Sequence, residues 1–224
     1  MFIGHYGVGF AAKKITFHNI KPVKKPSLGT FFLASLYLDI LWPVFILFNI
    51  EKVTIEPTGK AFQTVHFIYF PFSHSLIAAI VWALLFGLSY YAFRKDIKYS
   101  IVLAIVVLSH WILDLVSHFP DLQLIPGNNI RVGLGLWNSL TFTIIIEGLI
   151  FLIGVYFYFI STKAKNKRGH FLFWALLIFL SLTYVMDIIG PPPPSVKAIT
   201  VSGFSEWLLI AWGYWIDRNR TVIR

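Results

Sequence analysis

Six apolar runs, at about 28–49, 72–93, 99–118, 137–160, 170–189 and 199–216, decide what this chain can fold into. Each is long enough, or nearly so, to cross a bilayer as a helix, which takes roughly 20 residues. In hydrocarbon every backbone N–H and C=O must find its partner within the segment, so such runs are helical. Composition agrees: 57% of the 224 residues are hydrophobic and 13% are charged. The expected fold is an all-α polytopic membrane helix bundle of about six transmembrane helices, with 1–224 as a single membrane-embedded domain.

Basic residues set the orientation. Of the 19 Lys and Arg residues, 15 fall in the N-terminal segment, the loops after the second and fourth runs, and the C-terminal tail. The other three loops hold Lys52, Lys60, Arg131 and Lys197. This bias predicts N-in, C-in. It also explains the net charge of +9 without nucleic acid, for which no basic patch interleaved with aromatics exists. The partner that composition implies is the lipid bilayer. In Met1 to Ala12 the basic residues follow the apolar ones, the reverse of a cleaved signal, so this segment is expected in the mature protein. Trp42-Pro43 is expected to kink the first span. Pro191 to Pro194 reads as a stiff outer connector. His18 and His170 read as solvated residues beside cytoplasmic basic clusters.

The third run ends in His110, Asp114 and His118, spaced i, i+4, i+8. Each step of four advances about 40° around a helix, so the three form one stripe. An ionisable group in a membrane helix costs about 3 kcal/mol and faces a site or a partner. Two imidazoles and a carboxylate suit zinc or a transition metal. The competing reading is a His–Asp hydrogen bond that glues helices. The chain has no cysteine, so any metal must be held by nitrogen and oxygen.

Other intramembrane ionisable groups lie at compatible depths. Asp39 is roughly 16 Å from the inner end of the first run, and Glu147 about 15 Å from the outer end of the fourth. His74 opens the second run. All can meet in one cavity between the midplane and the outer face. His5 reaches that depth if residues 1–12 form a short re-entrant or interfacial helix, which places it about 12 Å from Lys13. Gly4, Gly7 and Gly9 would let that helix pack closely. Asp187 is as suited to a cap as to the site, His66 reads as a surface residue, and Asp121 as a helix terminator. Asn138 or Ser139 can cap the fourth span, and amides after Gly133-Leu134-Gly135 could hold an anion.

The ordered series His5, Asp39, His74, His110-x-x-x-Asp114, His118 resembles that of bacterial inner-membrane metal-dependent hydrolases. That family is similar in pattern to the zinc-dependent phospholipase C and single-strand nuclease superfamily. Met-Phe-Ile-Gly-His-Tyr-Gly-Val-Gly-Phe at the start, Leu38-Asp39 and Phe72-Ser73-His74-Ser75 also fit. The resemblance covers residues 1–150, which would carry the metal site, and leaves 151–224 as two accessory transmembrane helices. It implies that Asp39, His74, His110 and Asp114 share one metal and that His5 joins Asp114 on a second. His118 and Glu147 would fall where a further ion is held, but that pattern wants His-x-x-x-Glu and Thr143 stands four residues before Glu147. The soluble enzymes also use their free N-terminal residue as a ligand.

The implied cofactor is a divalent metal, zinc first, with manganese or iron as alternatives. The implied function is hydrolysis of a phosphoester or lipid-linked substrate near the outer leaflet, with Glu147 or Asp39 as general base. A proton or divalent-cation transporter and a non-catalytic scaffold are the alternatives.

Overall fold

The computed structural model describes residues 1–15, 25–56 and 64–223. His18, Lys21, Lys24 and Lys60 lie outside the described residues. The first span is two helices, α2 (Leu28–Ser35) and α3 (Tyr37–Leu47), bent by 55°. After α4 (Pro71–His74) come α5 (Leu76–Arg94), α6 (Ile97–Ser117), α7 (Leu140–Ser161), α8 (Lys167–Ile189) and α9 (Val196–Arg218). The helices begin where polar side chains can serve the first free amides. Ser27, Ser75, Asp96, Ser139, Asn166 and Ser195 each accept a backbone N–H of the helix that follows.

The protein is an all-α membrane helix bundle. Among the described residues four helices, α5 to α8, are long and apolar enough to cross a membrane, and the bent pair makes a fifth. Against the six expected, α9 falls short. It has 23 residues, but Lys197, Glu206, Asp217 and several Ser and Thr residues dilute its apolar character. It packs against α2 and α3.

The kink expected at Pro43 falls elsewhere. Pro43 sits inside α3 without breaking it, and the chain bends at Leu36 (φ −107°, ψ 8°). Pro43 withholds only the hydrogen bond owed to the Asp39 carbonyl. Its ring is braced by α9, where a Cβ on Gly203 would lie 3.0 Å from Pro43 Cγ.

Among the described residues, three short antiparallel pairs join the loops. β1 (Lys52–Ile55) pairs with β2 (Val65–Tyr69), and β3 (Leu122–Gln123) with β4 (Arg131–Val132), at the outer end. At the opposite, basic end, β5 (Thr162–Ala164) pairs with β6 (Arg220–Val222), tying the loop after α7 to the C-terminal tail.

The N-terminal segment forms α1 (Ile3–Ala12), seated against α2, α6 and α7. At ten residues it cannot span. Glycine makes its seat possible: a Cβ on Gly7 would stand 2.6 Å from the Ile150 carbonyl oxygen, and one on Gly9 2.7 Å from the Phe32 ring. The space beside Gly4 is filled by the Met1 side chain. At the basic end of α1, Lys13 is buried. Its Nζ donates to Asp217 Oδ2 at 2.5 Å and to the Pro26 carbonyl at 2.7 Å. Asp217 also accepts from Leu28 N and the Tyr158 hydroxyl. Between this lock and the outer half of the bundle, Tyr6, Phe10, Phe32, Phe151, Tyr158 and Phe173 form an aromatic core.

Candidate metal centre

The stripe on α6 faces inward. His110 and Asp114 are each 1% exposed, and α6 presents them to the gap between α1, α3 and α4. Asp114 Oδ2 lies 3.0 Å from His110 Nε2 and 3.7 Å from His74 Nε2. Asp39, in the first turn of α3, brings Oδ1 to 3.3 Å from His74 Nε2 and 3.5 Å from His110 Nε2. The other oxygen of Asp114, Oδ1, lies 3.1 Å from His5 Nε2 and 2.8 Å from the Met1 amino group. His118 Nε2 stands back at 4.0 Å. His5, His110 and Asp114 make one group able to hold a cation, and Asp39, His74 and His110 another.

The partners of the remaining ring nitrogens fix the tautomers. His110 Nδ1 lies 2.8 Å from the Ser35 carbonyl, which can only accept, so Nδ1 carries the hydrogen. Ser35 ends α2, where helix carbonyls lack intrahelical partners. The Ser73 hydroxyl donates to Glu51 Oε2 at 2.6 Å, so it accepts from His74 Nδ1 at 2.7 Å. His118 Nδ1 donates to Asp121 Oδ1 at 3.0 Å. In the neutral form of all three rings the Nε2 lone pair is then turned towards the carboxylates Asp39 and Asp114. Outer groups that orient a ligating imidazole in this way are a usual feature of metal sites.

Glu51, in the loop after α3, also accepts from the Phe72 and Ser73 amides. Burial pushes its carboxyl up, and the hydrogen bonds from Ser73 and Phe72 pull the other way.

The remaining expected residues stand outside this ring of ligand atoms. Glu147 is buried and accepts from the Phe2 amide at 2.9 Å, so it holds the start of α1. Asp187 is exposed on α8. His66 is exposed and pairs with Glu56 at 3.4 Å, away from the cluster. Asp121 orients His118. Ser139, not Asn138, caps α7. The amides proposed for an anion are already engaged: Leu134 N donates to the Leu115 carbonyl and Gly135 N to that of His118.

Several site residues escaped the sequence reading. Ser35 acts through its backbone, and Glu51 and Ser73 through hydrogen bonds in a loop, none of which has a sequence signature. Glu206 did carry one, as an acid in the middle of the last apolar run. The Gly203–Pro43 contact one turn away places it level with Asp39, and its Oε2 is buried without a hydrogen-bond partner among the described residues. The hydroxyl of Tyr6 is likewise buried and has no partner among them.

No curated protein and no solved structure matches the chain. A family model, described as YdjM inner membrane protein, matches residues 2–190. That span holds His5, Asp39, His74, His110, Asp114 and His118 and ends before Glu206 and Asp217. With its apolar helices and this match, the chain belongs to the YdjM inner membrane protein family, as an integral protein of the inner membrane.

Proposed function

We propose that this protein is a membrane-embedded, metal-dependent hydrolase acting on a phosphoester or lipid-linked substrate near the outer leaflet. One observation carries the reading. His74 Nε2, Asp39 Oδ1, His110 Nε2 and Asp114 Oδ2 form a ring whose successive separations are 3.3, 3.5, 3.0 and 3.7 Å. Ligand atoms on one tetrahedral zinc, with bonds near 2.0–2.1 Å, stand about 3.3 Å apart, close to the separations of Asp39 Oδ1 from His74 Nε2 and His110 Nε2, and these three residues can bring their ligand atoms within 4.8 Å of one another.

Asp39, His74, His110 and Asp114 would hold the first ion. His5, the more distant His118 and Asp114 Oδ1, which also pairs with the Met1 amino group, would hold a second ion. The donor set favours zinc, with manganese or iron as alternatives. Such ions supply Lewis acidity and an activated water at neutral pH. The chain's own groups do the rest. Ser35, Ser73 and Asp121 aim the three rings. Asp39, with its side chain 32% exposed, is the open edge at which a substrate can approach and a proton can be accepted. Phe67, Phe70 and Trp137 surround His118 and limit water from the outer side. The aromatic core below the cluster weighs against an ion path through the protein.

The test is elemental mass spectrometry of detergent-purified protein beside Asp114→Asn, followed by assays with phosphoester and lipid-phosphate substrates. One or two metal equivalents, lost in the variant, support the reading. No metal after supplementation, or equal content in both proteins, overturns it.

A further inference from the structure

On the lipid-facing side of α1, towards the basic end, a groove of about 530 Å³ opens between α6 and α7. Its walls are Val8, Ala11 and Ile15 of the N-terminal segment, Ile105 and Val106 of α6, and Phe157 of α7. The hollow follows from the seating of the short helix. α1 stands between α6 and α7 and shows the membrane alanines where larger side chains would close the gap.

The lining is almost wholly apolar. Its one hydroxyl, Ser109, is turned onto the Val106 carbonyl at 2.7 Å, so the floor has nothing to offer a polar ligand. The rim differs. Lys14 lies at the mouth with its ammonium 4.3 Å above the Phe157 ring. Lys13, next to it, is committed to Asp217. Burial, and after it the nearby charge of Lys13, pull Lys25 below its ordinary value. Because Lys and Arg gather here, this end faces the cytoplasm, where the leaflet is rich in anionic lipid.

An apolar slot that closes on a cation at the membrane surface is complementary to an anionic amphiphile. We propose that the groove binds one acyl chain of an anionic phospholipid from the cytoplasmic leaflet, with the headgroup phosphate on Lys14. The site is separate from the Asp114 cluster and needs no metal, so it stands whether or not the protein is a hydrolase.

Native mass spectrometry of the full chain, titrated with phosphatidylglycerol or phosphatidylcholine of matched acyl chains, tests this. The wild type is expected to take up one phosphatidylglycerol first, with about a fivefold preference, the scale for one basic residue at an anionic surface. Ala11→Phe fills the groove from α1 and Ser109→Leu fills it from α6. Both should lose the first-bound lipid of either kind while keeping the helical circular dichroism of the wild type. Lys14→Gln should bind the two lipids equally. Unchanged first-lipid occupancy in both filled variants overturns the proposal, as does an unchanged preference in Lys14→Gln. A dimer in the wild type that the filled variants abolish would also overturn it, assigning the groove to a second copy of the chain.

Discussion

His5 and His110 lie face to face, with ring centroids 3.7 Å apart and planes 1° from parallel. The stack holds one Nε2 at each oxygen of Asp114, so it spaces the two halves of the candidate centre. His5→Phe keeps a flat ring in the stack but removes the nitrogen. It should retain thermal stability and the ion on the Asp39 side while losing the second. Metal per chain, read with the melting temperature, checks this. Two ions retained would remove His5 from the ligand set.

Glu51 reaches the centre only through Ser73 and His74. Glu51→Gln leaves every first ligand in place but weakens the acceptor that orients the Ser73 hydroxyl. Loss of such an outer group costs about 10–100-fold in metal affinity. A zinc competition titration should find a drop of this size with unchanged helicity.

Gly7 lies against the backbone of α7, with no space for a methyl group. Gly7→Ala should push α1 off its seat at a cost of about 1–3 kcal/mol, the usual scale for overpacking. Thermal unfolding in detergent reads the loss, and metal content should fall with it because α1 carries His5.

Asp217→Asn leaves the Lys13 ammonium buried beside a neutral amide. Removing one partner of a buried ion pair costs about 3–5 kcal/mol. Adding Lys13→Met should recover most of the loss, since the stranded charge is then gone and the amide oxygen can still serve Leu28 N. Stability of the double variant against Asp217→Asn is the deciding comparison.

Tyr6→Phe removes a buried hydroxyl that has no partner among the described residues. It should be neutral or stabilising by about 1–2 kcal/mol, the desolvation cost that an unpaired group carries. A clear fall in melting temperature would show that the hydroxyl holds a partner when the protein sits in lipid.

The sequence made the stripe on α6 plain, because three ionisable side chains at helical spacing in an apolar run leave few readings. Asp39 and His74 follow from compatible depths and from the ordered series of the resemblance, and His5 from that series and from a short segment whose glycines permit close packing. Other features depend on contacts between distant segments. Pro43 looked like the bend, yet Gly203, 160 residues later, braces it, and the chain turns at Leu36 instead. Glu51 lies in a loop whose fold around the Phe72 and Ser73 amides has no period to read. α9 passed as one more apolar run, and only packing shows that it carries the Glu206 carboxyl to the level of Asp39 and the Asp217 carboxylate to Lys13.

The lock between Lys13 and Asp217 has a consequence for the order of events at the ribosome. The two residues stand at opposite ends of the chain, and α1 also leans on α7. At about 5–20 residues per second, the N-terminal segment is made tens of seconds before the carboxylate that anchors it. Until then its buried cation lacks the carboxylate that pairs with it. The cluster around Asp114 can gather as soon as α6 is made, whereas the basic end of α1 is anchored only when α9 arrives.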